Sequence, residues 1–313
     1  MSIRRAVAFA QGKGGVGKTT LTSNVAGLAA KAGYKTLVVD LDQQGNIARD
    51  LGFEPDSGDD LMSALVSAGT PLPIKRDVRE NLDVVPGGPA IGDAAAMFAA
   101  RATRAGGVTM ADALEEKLGA IADDYQLILF DTPPGDRIIV EATLAVASAV
   151  AIPTRMDEAS IDGVARIAER FVSVRDRNPD LRLAGVVLFA ITSRTTRLER
   201  DVRAALEQIL GGAAPVFDTR IRHLDSAAAD ARRRGLLVHE LEQANVEDRR
   251  KRLKALRDTK KLDEEERREK LQAATAEGLY STNASGLAED YESFTRELLV
   301  RLAEIEAELE TVQ

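Results

Sequence analysis

Short apolar runs alternate with segments of helical periodicity through the first 240 residues of the chain. The runs at 4–10, 36–40, 82–85, 127–131, 147–153, 183–190 and 215–217 are mostly β-branched and aliphatic and carry little charge, which predicts strands covered on both faces. Such runs suit an α/β fold, a mostly parallel twisted sheet with right-handed crossover helices on both faces and ligands at the carboxyl ends of the strands. Beyond residue 241 the pattern changes. Residues 245–277 are charge-rich and free of Gly and Pro, with Glu247 and Lys251, Asp248 and Arg252, Glu264 and Arg268, and Glu266 and Lys270 at i,i+4 spacing, acid first. They predict a long exposed helix. Leu253, Leu256, Leu262 and Leu271 are too sparse for a coiled-coil seam. The expected organisation is one domain over 1–313: a core at 1–241, an inserted charged helix at 245–280 and a C-terminal core helix at 285–313.

The chemistry concentrates where the first strand ends, in the sequence QGKGGVGKTT at 11–20. Gly12, Gly17, Lys18 and Thr19 fit the P-loop pattern G-x-x-x-x-G-K-[ST], and from Lys13 onward the residues also fit the narrower K-G-G-x-G-K-[ST]. Gly14, Gly15 and Gly17 lack a Cβ, so the backbone can turn successive N–H groups onto a phosphate. Lys18 then reaches the β and γ phosphates, and Thr19 supplies a hydroxyl to Mg²⁺. Thr19 and Thr20 open a helix, marked by Leu21, Val25 and Leu28, whose positive end faces the same anion. Two further strand ends carry acids: Asp40 and Asp42 in LVVDLDQQGN, and Asp131 in LILFDTPPG. The second reads as a Walker B segment holding a carboxylate near the metal; an Asp at such a place also commonly forms a turn or caps a helix.

Composition narrows the function. With no cysteine in 313 residues, disulfides, thiolate zinc sites and Cys-ligated iron–sulfur clusters are excluded, and with them an iron–sulfur electron carrier. No leading apolar segment follows Met1 and no apolar run approaches membrane-spanning length, so secretion and membrane insertion are not expected. A net charge of -8 requires any nucleic-acid contact to use a local basic patch.

Taken together, these motifs resemble the ParA/MinD group of deviant Walker A ATPases, and the ParA partition ATPases most. The resemblance rests on residues 13–20, on Asp40, Leu41, Asp42, Gln44, Gly45 and Asn46 as D-x-D-x-Q-G-N, and on Asp131, Pro133 and Pro134. It extends through NLDVVPGG at 81–88, IPTRMDEASIDG at 152–163, SRTTRLERDV from Ser193 and VFDTRIR at 216–222. The family implies ATP and Mg²⁺ as cofactors and an ATP-bound homodimer in which Lys13 crosses to the partner's phosphates. Lys13, Lys18 and Asp42 would act in hydrolysis, Asp42 by orienting the attacking water. Thr19, Asp40 and Asp131 would form the metal shell. ATP would be bound by Gly12, Lys13, Gly14, Gly15, Val16, Gly17, Lys18, Thr19, Thr20 and, near the base, Arg222.

Three departures stand out. Gly12 replaces the family's usual Gln, Gln43 its Pro, and Arg222 and His223 occupy the place of a Pro near adenine; His223 is either a stacking residue or an ordinary packing residue. The chain starts at the first strand, so a helix-turn-helix extension is not expected. The resemblance also implies nonspecific DNA binding by the outer face of the dimer, a cytoplasmic and nucleoid-associated location, and a ParB-like adaptor that stimulates hydrolysis. Arg194, Arg197, Arg200 and Arg203 form one basic segment, and Arg232, Arg233 and Arg234 a second. The final stretch at 287–310 ends acidic and lacks the basic amphipathic tail of membrane-using relatives. The reading is a DNA-segregation ATPase; its alternatives are positioning of a protein cargo and, from another class, a metabolic ATP-dependent enzyme sharing the P-loop.

Overall fold

The computed structural model describes residues 2–103, 106–192, 196–258 and 284–312. Its centre is an eight-stranded sheet of β1 (Ile3–Phe9), β2 (Thr36–Asp40), β3 (Lys75–Arg79), β4 (Leu82–Val85), β5 (Leu127–Asp131), β6 (Ala147–Thr154), β7 (Arg182–Ile191) and β8 (Val216–Arg222). The spatial order is β3-β4-β2-β5-β1-β6-β7-β8. Every pairing is parallel except β3 with β4. The predicted mostly parallel sheet is therefore observed, with β2, β4 and β5 at their expected bounds. Two strands differ from expectation. The edge strand β3, KRDVR, is too polar to read as a run, and β8 extends past residue 217 because VFDTRIR alternates exposed and buried positions.

Helices cover both faces and divide the core into two apolar layers. On one side lie α3 (Asp59–Val66), α4 (Ala90–Ala102), α5 (Met110–Gly119), α6 (Arg137–Val146), α7 (Glu158–Ser173) and α8 (Thr196–Leu210). The other carries α1 (Lys18–Lys31), α2 (Asn46–Leu51), α9 (Asp225–Arg234), α10 (Val238–Asp258) and α11 (Ala284–Val312). Helix α11 packs against β8 and α10, and its Phe294 meets Phe217 edge to face at 5.2 Å between ring centroids. Such a pair adds about 1 kcal/mol beyond the area it buries.

The charged helix does not begin at 245: α10 starts at Val238 inside the core, where Leu237, Val238 and Leu241 are buried, and runs outward to Asp258. The remainder of the expected insertion, 259–280, lies outside the described residues. No helix among the described residues is long and apolar enough to cross a membrane.

The root of α10 carries a pH liability. His239 is buried with no hydrogen-bond partner at Nδ1, and burial, aided by Lys31, pushes its pKa down to about 4. The unfolded chain takes up this proton near pH 6.5 and the folded chain only near 4, so stability drains away as pH falls through that window. The expected loss between pH 7 and 4.5 is roughly 2–3 kcal/mol. Urea unfolding at the two pH values checks it: His239→Leu should lose less stability on acidification than the natural chain, and equal losses would refute the assignment.

Candidate functional site

A cleft of about 660 Å³ opens at the carboxyl ends of the strands, where the sequence placed the chemistry. Its floor is the loop between β1 and α1. Gly17 caps α1 with φ 89° and Gly15 has φ 73°, so both need the left-handed region that glycine tolerates. A Cβ on Gly17 would lie 2.4 Å from the Phe189 ring, which packs over the loop from the end of β7. No acid sits in the first turn of α1, leaving its positive end to the cleft. Gly14, Gly15, Gly17, Lys18, Thr19 and Thr20 line the cleft; Gly12, Lys13 and Val16 do not.

The loop is braced from two sides. From β5, the Thr132 hydroxyl donates to the Phe9 carbonyl at 2.8 Å, and Pro134 packs on Gly14. From β6, the buried Gln11 amide donates to the Pro153 and Ser160 carbonyls while its oxygen accepts from Gly12 N–H. Gly163 leaves room for this Gln11 side chain, since a Cβ there would clash with it. Asp157 caps α7 by accepting from Ser160 N–H at 3.0 Å, and the same carboxylate takes Lys13 Nζ at 2.6 Å. Burial opposes the ionised form of Asp157, but Lys13 and Ser160 outweigh it and hold the carboxyl below its usual range. The two lysines of the motif therefore part ways. Lys18 is buried and lines the cleft, while Lys13 is held outside it.

The acids occupy three distinct settings. Asp42 lines the cleft and accepts from Gln44 N–H at 2.9 Å. Asp131, at the end of β5, is fully buried and neither carboxylate oxygen has a well-formed hydrogen bond. Burial raises its pKa and the Asp42 charge adds to this, while the Thr19 hydroxyl and the Lys18 ammonium oppose both. Asp40 lies opposite Asp131 in the β2–β5 register, and burial followed by the Asp131 charge raises its pKa further. Buried neighbouring carboxylates with too few donors fit a site completed by a cation. Asp40, expected in the metal shell, also accepts from the N–H groups of Asp42 at 3.0 Å and Ile47 at 3.4 Å. It organises the turn that presents Asp42. Gly87 permits this arrangement, because a Cβ there would meet Asp40 at 2.5 Å. Thr19, Asp40 and Asp131, the expected shell, offer the oxygens that suit Mg²⁺, with Asp42 beside them.

At the far end of the cleft, Arg222 and His223 both line it. The Arg222 guanidinium is gripped twice by Asp290 of α11, at 2.7 and 2.8 Å, and His223 pairs with Asp225 at 3.1 Å. Arg232, expected in the second basic cluster, lines the cleft and pairs with buried Asp50 at 2.7 Å. Arg234 pairs with Asp230, whereas Arg197, Arg200 and Arg233 are exposed; Arg194 lies outside the described residues. Sequence reading assigned no role to Arg155, Asp157 or Phe189, which reach the site from loops whose apposition only the fold reveals.

A glycine-rich phosphate loop between a buried strand and a helix, with acids on two neighbouring strand ends, defines a P-loop nucleotide triphosphatase. The sequence matches the AAA domain family over residues 4–183, more than half of the chain. It is 33% identical over 209 residues to the chromosome-partitioning ATPase Soj of Thermus thermophilus, spanning 66% of this chain and 77% of that protein. Among solved structures it is similar to a cobyrinic acid a,c-diamide synthase from Mycobacterium smegmatis with bound ATP analog and magnesium, at TM-score 0.60 and 29% identity, over 74% of this chain and 92% of that one. Apo McdA from Cyanothece shares the fold at TM-score 0.64 and 20% identity, over 76% and 93% of the two chains. The chain belongs to the ParA/Soj family of partitioning and positioning ATPases. It is an ATPase, and its cleft fits ATP with Mg²⁺.

Proposed function

We propose that this ATPase segregates DNA by ATP-gated dimerisation. The observation that carries the reading is the separation of the two loop lysines: Lys18 serves its own cleft, while Lys13 rests on Asp157 outside it and is available to a second protomer. In the ATP-bound dimer Lys13 leaves Asp157 and meets the partner's phosphates. That contact weakens when the γ phosphate is lost, so nucleotide state sets the dimer population. Thr19, Asp40 and Asp131 would hold Mg²⁺, which would supply charge neutralisation at the triphosphate. Asp42 orients the attacking water, and Lys18 compensates charge on the transferred group. A ParB-like adaptor stimulates hydrolysis.

The dimer binds duplex DNA without sequence preference through the exposed arginines Arg197, Arg200 and Arg233, joined by Arg194. Arg203 is spent internally, donating to the Phe217 carbonyl at 2.8 Å, and takes no part. The Arg197→Glu/Arg200→Glu double variant should weaken ATP-dependent duplex binding at least about tenfold and flatten its salt dependence by about one unit of logarithmic slope per lost phosphate contact. Filter binding across a salt series reads both quantities. ATP-dependent DNA binding that survives this change with the same slope would remove the surface from the account.

A further inference from the structure

The cleft is lined by three arginines, and two of them are already neutralised by carboxylates: Arg222 by Asp290 and Arg232 by Asp50. The third, Arg155, makes no ion pair among the described residues. It follows directly on β6, which pairs with β1 through Phe9 and Ala151, so it stands at the phosphate end of the cleft and not at the β8 end with Arg222. Gly14, Gly15, Lys18 and Pro134 line the same cleft from the ends of β1 and β5. Its placement is rigid. Gln11 ties the P-loop to Pro153 and Ser160 on either side of Arg155, and Asp157, two residues on, both caps α7 and grips Lys13. A half-buried cation without an ion pair among the described residues, fixed beside a glycine-rich loop and the N-terminal end of α1, is a site for an anion.

We propose that Arg155 is a specificity-determining residue that binds the terminal phosphate of ATP in its own subunit and thereby sets the preference for ATP over ADP. The guanidinium is always charged and offers several fixed donors, so it can hold two phosphate oxygens at once; lysine at this place could supply charge but not the fork. The role differs from that of Lys13, which acts across the dimer, and from that of Lys18, which approaches from the loop itself. It also places a γ-phosphate contact on the segment that holds Asp157, so filling the site and releasing Lys13 involve one stretch of chain.

The test uses the full chain carrying Lys13→Ala, in which the proposed partner contact is removed, with and without Arg155→Ala or Arg155→Lys. Affinities for ADP and for a non-hydrolysable ATP analogue are measured by calorimetry with Mg²⁺. Arg155→Ala should lose about tenfold to a hundredfold in affinity for the ATP analogue, with ADP changed by less than about threefold, and Arg155→Lys should recover part of the loss. Equal losses for both nucleotides, or no loss for either, would overturn the assignment. An ATP-specific loss seen only in chains that retain Lys13 would overturn it too, by moving the contact to the partner's nucleotide. A melting temperature within a few degrees of the parent separates any of these results from misfolding.

Discussion

Lys18→Ala is expected to abolish nucleotide binding. The ammonium is buried beside Gly17 in the phosphate loop, and burial lowers its pKa while the charges of Asp131 and then Asp42 oppose that shift. A unit charge at contact distance from a phosphate oxygen contributes about 4 kcal/mol at an effective dielectric near 20, about a thousandfold in affinity. The expected ATP affinity therefore falls by roughly that factor, and turnover falls with it. Titration with a fluorescent ATP analogue reads the affinity; binding within about threefold of the natural chain would show that the loop amides alone hold the triphosphate.

Lys13→Ala should behave in the opposite way, keeping ATP binding and losing the dimer. Lys13 is about one-third exposed, its partner is Asp157, and it does not line its own cleft. Removing it costs the monomer one partly exposed ion pair, worth up to about 1 kcal/mol. The dimer loses two symmetric lysine–phosphate contacts, each of a strength comparable to that of Lys18. Sedimentation with ATP should find Lys13→Ala monomeric at concentrations where the natural chain is dimeric. Asp42→Ala, lacking the group that orients water, should accumulate as the ATP-bound dimer. A dimer of Lys13→Ala with undiminished stability would contradict the crossing lysine.

Much of this molecule is legible in its sequence because parallel strands buried on both faces must be apolar along their whole length. Thr36–Asp40 and Leu127–Asp131 declare themselves in this way, and the acids that end them mark the cleft rim. Strands exposed on one side do not announce themselves so clearly. Lys75–Arg79 is an antiparallel edge strand with five polar or half-buried positions, and Val216–Arg222 alternates along its outer half. The site divides along the same line. The loop residues are contiguous, so spacing alone assembled Gly14, Gly15 and Gly17 to Thr20, and the acid-ended strand at 36–40 pointed to Asp42. Arg155, Asp157 and Phe189 come to the P-loop only because β6 and β7 stack beside β1, an apposition that no local pattern encodes. The partners of Asp40 and Arg232 were likewise illegible: the fold gives Asp40 two backbone amides and Arg232 the carboxylate of Asp50.

The most direct test of the central claim is a crystal structure of Asp42→Ala with ATP and Mg²⁺. Two protomers should face each other across their nucleotides, with Lys13 Nζ of each released from Asp157 and in contact with the other's phosphates. A structure in which Lys13 remains on Asp157, or turns back to its own nucleotide with no second protomer opposite, would contradict it.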